Sequence, residues 1–159
     1  MFALVETRDV DFDWLVGVGD GRDDIRLPPG GVDAPETLAI VREIHRAARD
    51  AGRPGAWMMV WGDEVVGLCG AVRAPDDPGE MEIGYGVAPS RRRLGHATRA
   101  VATIVALARA DGALRSIAAV TAVDNLASQG ALTRNGFWEA TREHREDDGW
   151  VIIWRLTLS

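Results

Sequence analysis

Residues 81 to 98 constrain this chain more than any other stretch. Met81 to Val87 alternates like a strand, Ala88-Pro89-Ser90 turns, three arginines follow at Arg91, Arg92 and Arg93, and Leu94-Gly95-His96-Ala97-Thr98 opens a helix. In the strand, Met81, Ile83, Tyr85 and Val87 share one face, and Glu82, Gly84 and Gly86 share the other. So short a passage from strand to helix sets the helix's unpaired amides, and the positive end of its dipole, just beyond the strand end. Gly95 and Ala97 leave room for an anion to reach the backbone, Thr98 offers a hydroxyl and the arginines add charge. The segment is expected to cradle a pyrophosphate. It is not a Walker loop, because the Gly-Lys-Ser/Thr ending is missing. Gly84-Tyr85-Gly86 lies inside the strand and is followed by no third glycine, so it is no dinucleotide fingerprint either.

The rest of the chain supplies elements around this segment. Phe2 to Glu6 reads as a strand and Asp11 to Val18 as a weak helix, followed by an irregular Gly, Pro and Asp connection from Gly17 to Asp33 that is long for a compact domain. Asp33 is placed to cap a helix with Pro35 in its first turn and Leu38, Val41, Ile44 and Ala48 at helical spacing, ended by Gly52-Arg53-Pro54. Ala56 to Trp61 and Glu64 to Val72 form a hairpin through Gly62-Asp63, apolar on both faces and so covered on both. Residues 74 to 79 are turn formers. The helix from about Gly95 to Ala110 carries an apolar stripe at Ala97, Val101, Ile104, Val105 and Ala108. Ile117 to Ala122 is a buried strand, Asn125 to Arg134 a helix, and Phe137 to His144 with Trp150 to Leu158 a closing hairpin. Strands joined by helical crossovers make the chain α/β or α+β, with strand directions left open.

Composition narrows the class. The 159 residues suit one domain, 1–159, and 18 basic against 24 acidic side chains give a formal net charge of −6. That balance argues against a nucleic-acid partner. All the basic residues are arginine, so chemistry that needs a lysine amine is excluded. Cys69 is the one cysteine and cannot form an internal disulfide, which fits a reducing compartment. No secretory leader and no membrane-length apolar run is seen, so a cytoplasmic protein with no membrane partner is expected. Three histidines and one cysteine show no ligand spacing, so no metal is expected.

Arg92-Arg93-Leu94-Gly95-His96-Ala97 resembles the Arg/Gln-x-x-Gly-x-Gly/Ala signature of the GNAT superfamily of acyl-coenzyme A-dependent N-acetyltransferases. Glu82-Ile83-Gly84-Tyr85 with Val87-Ala88-Pro89, and Asn125-Leu126-Ala127-Ser128 with Asn135-Gly136-Phe137, are similar to its branch of ribosomal-protein N-terminal acetyltransferases. The resemblance covers nearly the whole chain. It implies one GNAT domain with a central mixed, mostly antiparallel sheet flanked by helices on both faces. It also implies transfer of an acetyl group from acetyl-coenzyme A to a primary amine, directly within a ternary complex.

Carried over residue by residue, the resemblance places the pyrophosphate on Arg92, Arg93, Leu94, Gly95, His96, Ala97 and Thr98. The pantetheine arm lies by the fourth strand, where a bulge splays it from the fifth, with the Val87 amide as oxyanion donor. Asn125 contacts pantetheine and Arg134 reaches the adenosine phosphate. Glu82 is the matching general base, acting through water. Many relatives use a tyrosine as general acid four residues before the Gly-Phe pair. Leu132 stands there in this chain, so Ser128 or water takes that role. The acceptor is a small-molecule amine or a peptide N-terminus, drawn by Asp20, Asp23, Asp24, Asp147 and Asp148. A homodimer is left open, and a non-catalytic module that senses acyl-coenzyme A is the rival reading. Among the remaining residues, His45 and Cys69 read as structural, and Trp14 and Trp138 as the tryptophans best placed to face a pocket.

Overall fold

The computed structural model describes residues 1–72 and 77–158. The elements follow the order β1 (Phe2–Glu6), α1 (Asp11–Leu15), α2 (Pro35–Asp50), β2 (Ala56–Trp61), β3 (Glu64–Ala71), β4 (Glu80–Val87), α3 (His96–Ala110), β5 (Ser116–Ala122), α4 (Leu126–Arg134), β6 (Trp138–Arg145) and β7 (Gly149–Thr157), with a 3-10 turn at Pro89–Arg91. The strands make a seven-stranded sheet in the order β1-β2-β3-β4-β5-β7-β6. It is mixed: β4 and β5 run parallel, whereas β1 with β2, β2 with β3, β5 with β7 and β6 with β7 run antiparallel. The turn formers expected at 74 to 79 lie partly outside the described residues.

The chain divides into two compact units. The first comprises the described part of Met1–Arg73 together with Tyr85–His96. Its core gathers Phe12, Leu15, Val32, Leu38, Ala56, Met58, Val60, Val65 and Leu68, with Val5, Trp14, Ile25, Leu27 and Val41 packed against it. The long 17–34 connection is therefore not a loose loop, because Ile25, Leu27 and Val32 anchor it by apolar burial. Arg22 anchors it again by donating to the Glu6 carbonyl at 2.7 Å and to the buried Asp11 carboxylate at 2.7 Å. Burial pushes the Asp11 carboxyl up, but the hydrogen bonds from Arg22 and Arg8 outweigh it and hold the group well below the ordinary carboxylate range.

Two local expectations are corrected. The helix expected over Asp11 to Val18 ends at Leu15. Asp33 does not cap α2: the N-cap is Ala34, and Asp33 Oδ1 accepts from the Ala34 amide at 2.7 Å rather than from an amide of the first helical turn. His45 is structural as expected, buried on α2 with Nδ1 accepting from the Ala56 amide at 3.0 Å. Burial lowers its pKa, so the ring is held neutral and fit to accept.

The second unit comprises the described part of Ala74–Gly84 together with Ala97–Ser159. α3 buries Val101, Ile104, Val105 and Ala108 of the expected stripe, and Ala100 in place of Ala97. β5 buries its own Ile117, Ala118 and Ala119, and Trp154 of β7 donates to Thr121 Oγ1 at 3.0 Å in a buried pair. β6 is exposed along nearly its whole length and carries alternating charge, with Glu139 paired to Arg142 and Glu143 to Arg145. An exposed strand of this charge pattern resists pairing with a stray strand. Trp138 is exposed on β6, and Trp150 is exposed on β7 with its ring edge-on to His144.

Candidate functional site

The first unit contains Tyr85 to His96, the end of β4 with the turn and loop that follow it. Strand β3 is buried from Glu64 to Gly70, which brings backbone close to backbone. A Cβ on Gly67 would collide with the Gly86 carbonyl oxygen and stand 3.1 Å from the Val87 Cα. Glycine at 67 is thus required by close approach, and it sets where Gly86 and Val87 lie. The Ala88 amide then donates to the Val66 carbonyl at 2.8 Å, fixing the strand end.

Beyond that point one arginine of the run turns away from the loop. Arg91 donates through Nε and through Nη2 (3.2 Å) to Glu64, which also accepts from Arg26 Nη1 at 2.6 Å. Glu64 is buried, and the Arg91 hydrogen bonds hold its carboxyl below the ordinary range against the opposing effect of burial. Arg91 therefore does not add charge to an anion cradle as expected; it anchors the turn. Arg92 and Arg93 are exposed and enter no ion pair among the described residues.

The loop itself is strongly shaped. Arg93 has φ 66° and Gly95 has φ 82°, so two left-handed residues alternate with Leu94 immediately before α3. Such alternation curls successive amides toward one point, the backbone concavity that receives anions. His96 opens the helix, and its ring is buried against Phe2 (6.2 Å between centroids) and Trp61 (5.7 Å). The His96 imidazole is thus packed against aromatic rings of the first unit.

The second unit holds the other residues singled out from the sequence. Glu82 lies half-buried in β4 opposite Ala118, within a ladder that runs from Glu80↔Ser116 to Ile83↔Ala119. The paired register ends at Ile83↔Ala119, whereas β4 runs to Val87 and β5 to Ala122. Ala97 and Thr98 are half-buried in the first turn of α3. Asn125 caps α4, its Oδ1 accepting from the Ser128 amide at 3.2 Å, which leaves the Nδ2 donor for other partners. Ser128 is half-buried on the first turn of α4, and Arg134 is exposed on its last turn, its guanidinium over Gly130. Leu132 is fully buried, which closes that position to any proton donor.

Sequence reasoning missed three structural supports. Glu64 had a signal, a charge at the head of an apolar strand, and so did Gly67, a glycine in the middle of one. Asn135, quoted only within the Asn-Gly-Phe stretch, donates to the Thr98 carbonyl at 3.1 Å and to Ala131 at 2.8 Å, tying α4 to the first turn of α3. Burial pushes the Cys69 thiol up to about 12, so it is inert. Among the described residues no cluster of histidine, cysteine or carboxylate groups could hold a metal, and no helix is long and apolar enough to cross a membrane.

Comparison with known proteins identifies a family and a fold for this chain. The family model described as "Acetyltransferase (GNAT) domain" matches residues 7–138. The uncharacterized N-acetyltransferase YjdG of Bacillus subtilis (strain 168) is 33% identical over 106 residues, 64% of this chain and 62% of its own length. The matched part of this chain thus spans about three-fifths of that relative. Among solved structures, the ribosomal L7/L12 alpha-N-protein acetyltransferase RimL in complex with coenzyme A is similar with a TM-score of 0.76 at 15% identity, over 99% of this chain and 94% of that one. The microcin C7 self-immunity acetyltransferase MccE, in complex with acetyl-CoA and AMP, is similar with a TM-score of 0.73 at 12% identity, over 98% of this chain and 92% of that one. The seven-stranded mixed sheet with its four helices has the fold of these enzymes, and the chain belongs to the GNAT acetyltransferase family.

Proposed function

We propose that this protein transfers an acetyl group from acetyl-coenzyme A to a primary amine, by direct attack in a ternary complex within one domain, 1–159. The observation that carries the reading is the loop from Arg92 to Gly95, left-handed at Arg93 and Gly95 and opening into α3 a few residues after the end of β4. Its amides, with those of His96, Ala97 and Thr98, receive the pyrophosphate, and Arg92 and Arg93 add charge. The structures of RimL with coenzyme A and of MccE with acetyl-CoA support the choice of cosubstrate.

In the proposed reaction the pantetheine arm lies beside β4, held by the Asn125 side chain, with the adenosine phosphate on Arg134. Glu82 takes a proton from the acceptor ammonium through water, and the amine nitrogen attacks the thioester carbonyl carbon. The Val87 amide donates to the oxygen as it gains charge. The nitrogen, positively charged once bonded, gives up a second proton to water as the carbon–sulfur bond breaks, leaving the neutral amide and a thiolate. Ser128 or water returns a proton to the sulfur, and because a thiol titrates near ~8.5 the step needs no strong acid. The acceptor is a protein N-terminus or a small-molecule amine, and the setting is cytoplasmic.

The test is release of free thiol from acetyl-coenzyme A by purified protein offered a panel of amines and N-terminal peptides. Thiol release with at least one acceptor, competed by coenzyme A and cut strongly in Glu82→Gln with cofactor affinity kept, is expected. Coenzyme A binding with no turnover on any acceptor would instead support the acyl-coenzyme A-sensing module, a reading that the buried Leu132 in place of an acid favours.

A further inference from the structure

We propose that Asp33 holds the acceptor's ammonium group beside β4 and so selects cationic amines; this rests on the acetyl-transfer reading above. The observation is the proximity of two segments far apart in sequence. Asp33 Oδ2 stands 3.8 Å from the point a Cβ on Gly86 would occupy. Gly86 is exposed, so the carboxylate overlooks bare strand backbone one residue before Val87, the proposed oxyanion donor.

The carboxylate is also firmly mounted. Pro28-Pro29-Gly30-Gly31 reverses the chain, with φ 80° at both glycines and the Gly31 amide donating to the Pro28 carbonyl at 3.1 Å. Ser90, just past β4, donates its hydroxyl to the Pro29 carbonyl at 2.8 Å, strapping this turn to the segment that follows the strand. Val32 is buried in the core on one side of Asp33, and α2 starts at Pro35 on the other. Asp33 Oδ1 is taken by the Ala34 amide, and among the described residues nothing donates to Oδ2. The side chain is not serving the helix as a cap, because the amide it accepts from is that of the N-cap residue itself.

An exposed carboxylate fixed over glycine backbone is suited to a small cation. Primary amines arrive protonated, since α-amino groups titrate near ~8 and alkylamines near ~10.4. Held by Oδ2, the ammonium would wait beside the thioester position until the base takes its proton. Asp33 thus assumes the acceptor-binding charge first expected from Asp20, Asp23 and Asp24.

The experiment compares wild type, Asp33→Asn and Asp33→Glu in coenzyme A binding and in steady-state thiol release at about pH 7.5, with an alkylamine charged at that pH and a hydrazide neutral at it. Asparagine keeps the Oδ1 acceptor for Ala34, so the local fold survives. Asp33→Asn is expected to raise KM for the alkylamine about tenfold, the loss of one charge-assisted bond, with kcat within about twofold and the hydrazide unaffected. Coenzyme A affinity stays unchanged, and Asp33→Glu recovers part of the alkylamine KM. An unchanged alkylamine KM, or an equal rise for both acceptors, overturns the role of Asp33 while leaving the acetyl-transfer reading intact. Failure of the wild type to bind coenzyme A and to acetylate any acceptor overturns that reading itself.

Discussion

Glu64 is buried at the head of β3 with guanidinium groups of Arg91 and Arg26 on its two oxygens, so its negative charge is stable only as part of that triad. Glu64→Gln removes the charge and leaves Arg91 without its anchor. The expected loss is about 2 kcal/mol, a fall in Tm of roughly 5 °C for a chain of this size. The sign with pH follows from the lowered carboxyl. The unfolded state binds the proton more readily, so the stabilisation is fully present above about pH 4.3 and is lost as pH falls through the lower folded value. Melting curves of wild type and Glu64→Gln should therefore stand apart at neutral pH and approach each other in acid. Arg93 gives a second residue-scale prediction. Its left-handed backbone costs an ordinary residue about 1 kcal/mol, and a β-branched one more. Arg93→Gly is expected to leave Tm nearly unchanged, relief of strain offsetting added chain entropy, whereas Arg93→Val should lower it by several degrees in the same scan.

At the scale of elements, β3 and β4 are shaped by one glycine. Gly67→Ala places a methyl group against the Gly86 carbonyl, and neither partner is a side-chain end that can swing aside. It is expected to cost about 1–3 kcal/mol by overpacking and to displace Gly86 and Val87. Coenzyme A affinity measured by calorimetry should fall with it, and an unchanged affinity would show that the donor does not lie along this strand. Which elements form was legible in the sequence because α2, α3 and the β2–β3 hairpin follow from helical spacing and from the Gly62-Asp63 turn. The parallel pairing of β4 with β5 was not legible, since periodicity carries no strand partner or direction. Three errors share one cause. Asp33 as a cap, Arg91 as a phosphate ligand and the helix run through to Val18 are sound local propensities. Each was overruled by a contact or turn that local propensity does not carry: the Ala34 amide for Asp33, Glu64 for Arg91, and the anchoring of the following connection for α1.

For the molecule as a whole, a formal net charge of −6 opposes the approach of a polyanion such as coenzyme A. Most of the arginine is already matched by carboxylate. Arg42 and Arg46 share Asp9, Arg8 and Arg22 share Asp11, Arg26 and Arg91 share Glu64, and Arg115 holds Asp77. Arg92 and Arg93, in no ion pair among the described residues, stand where two left-handed residues shape the proposed anion loop, so local charge there opposes the global sign. Both are exposed, and their contribution should be screened by salt. The double variant Arg92→Ala with Arg93→Ala is expected to weaken coenzyme A binding about tenfold near 0.05 M salt and only about twofold near 1 M, where the Debye length is about 3 Å. The corresponding lysine pair should keep most of the affinity, because a point charge suffices for a phosphate held by backbone amides. Titrations across salt decide the matter: a deficit that stays constant would mean that the arginines shape the loop rather than charge it.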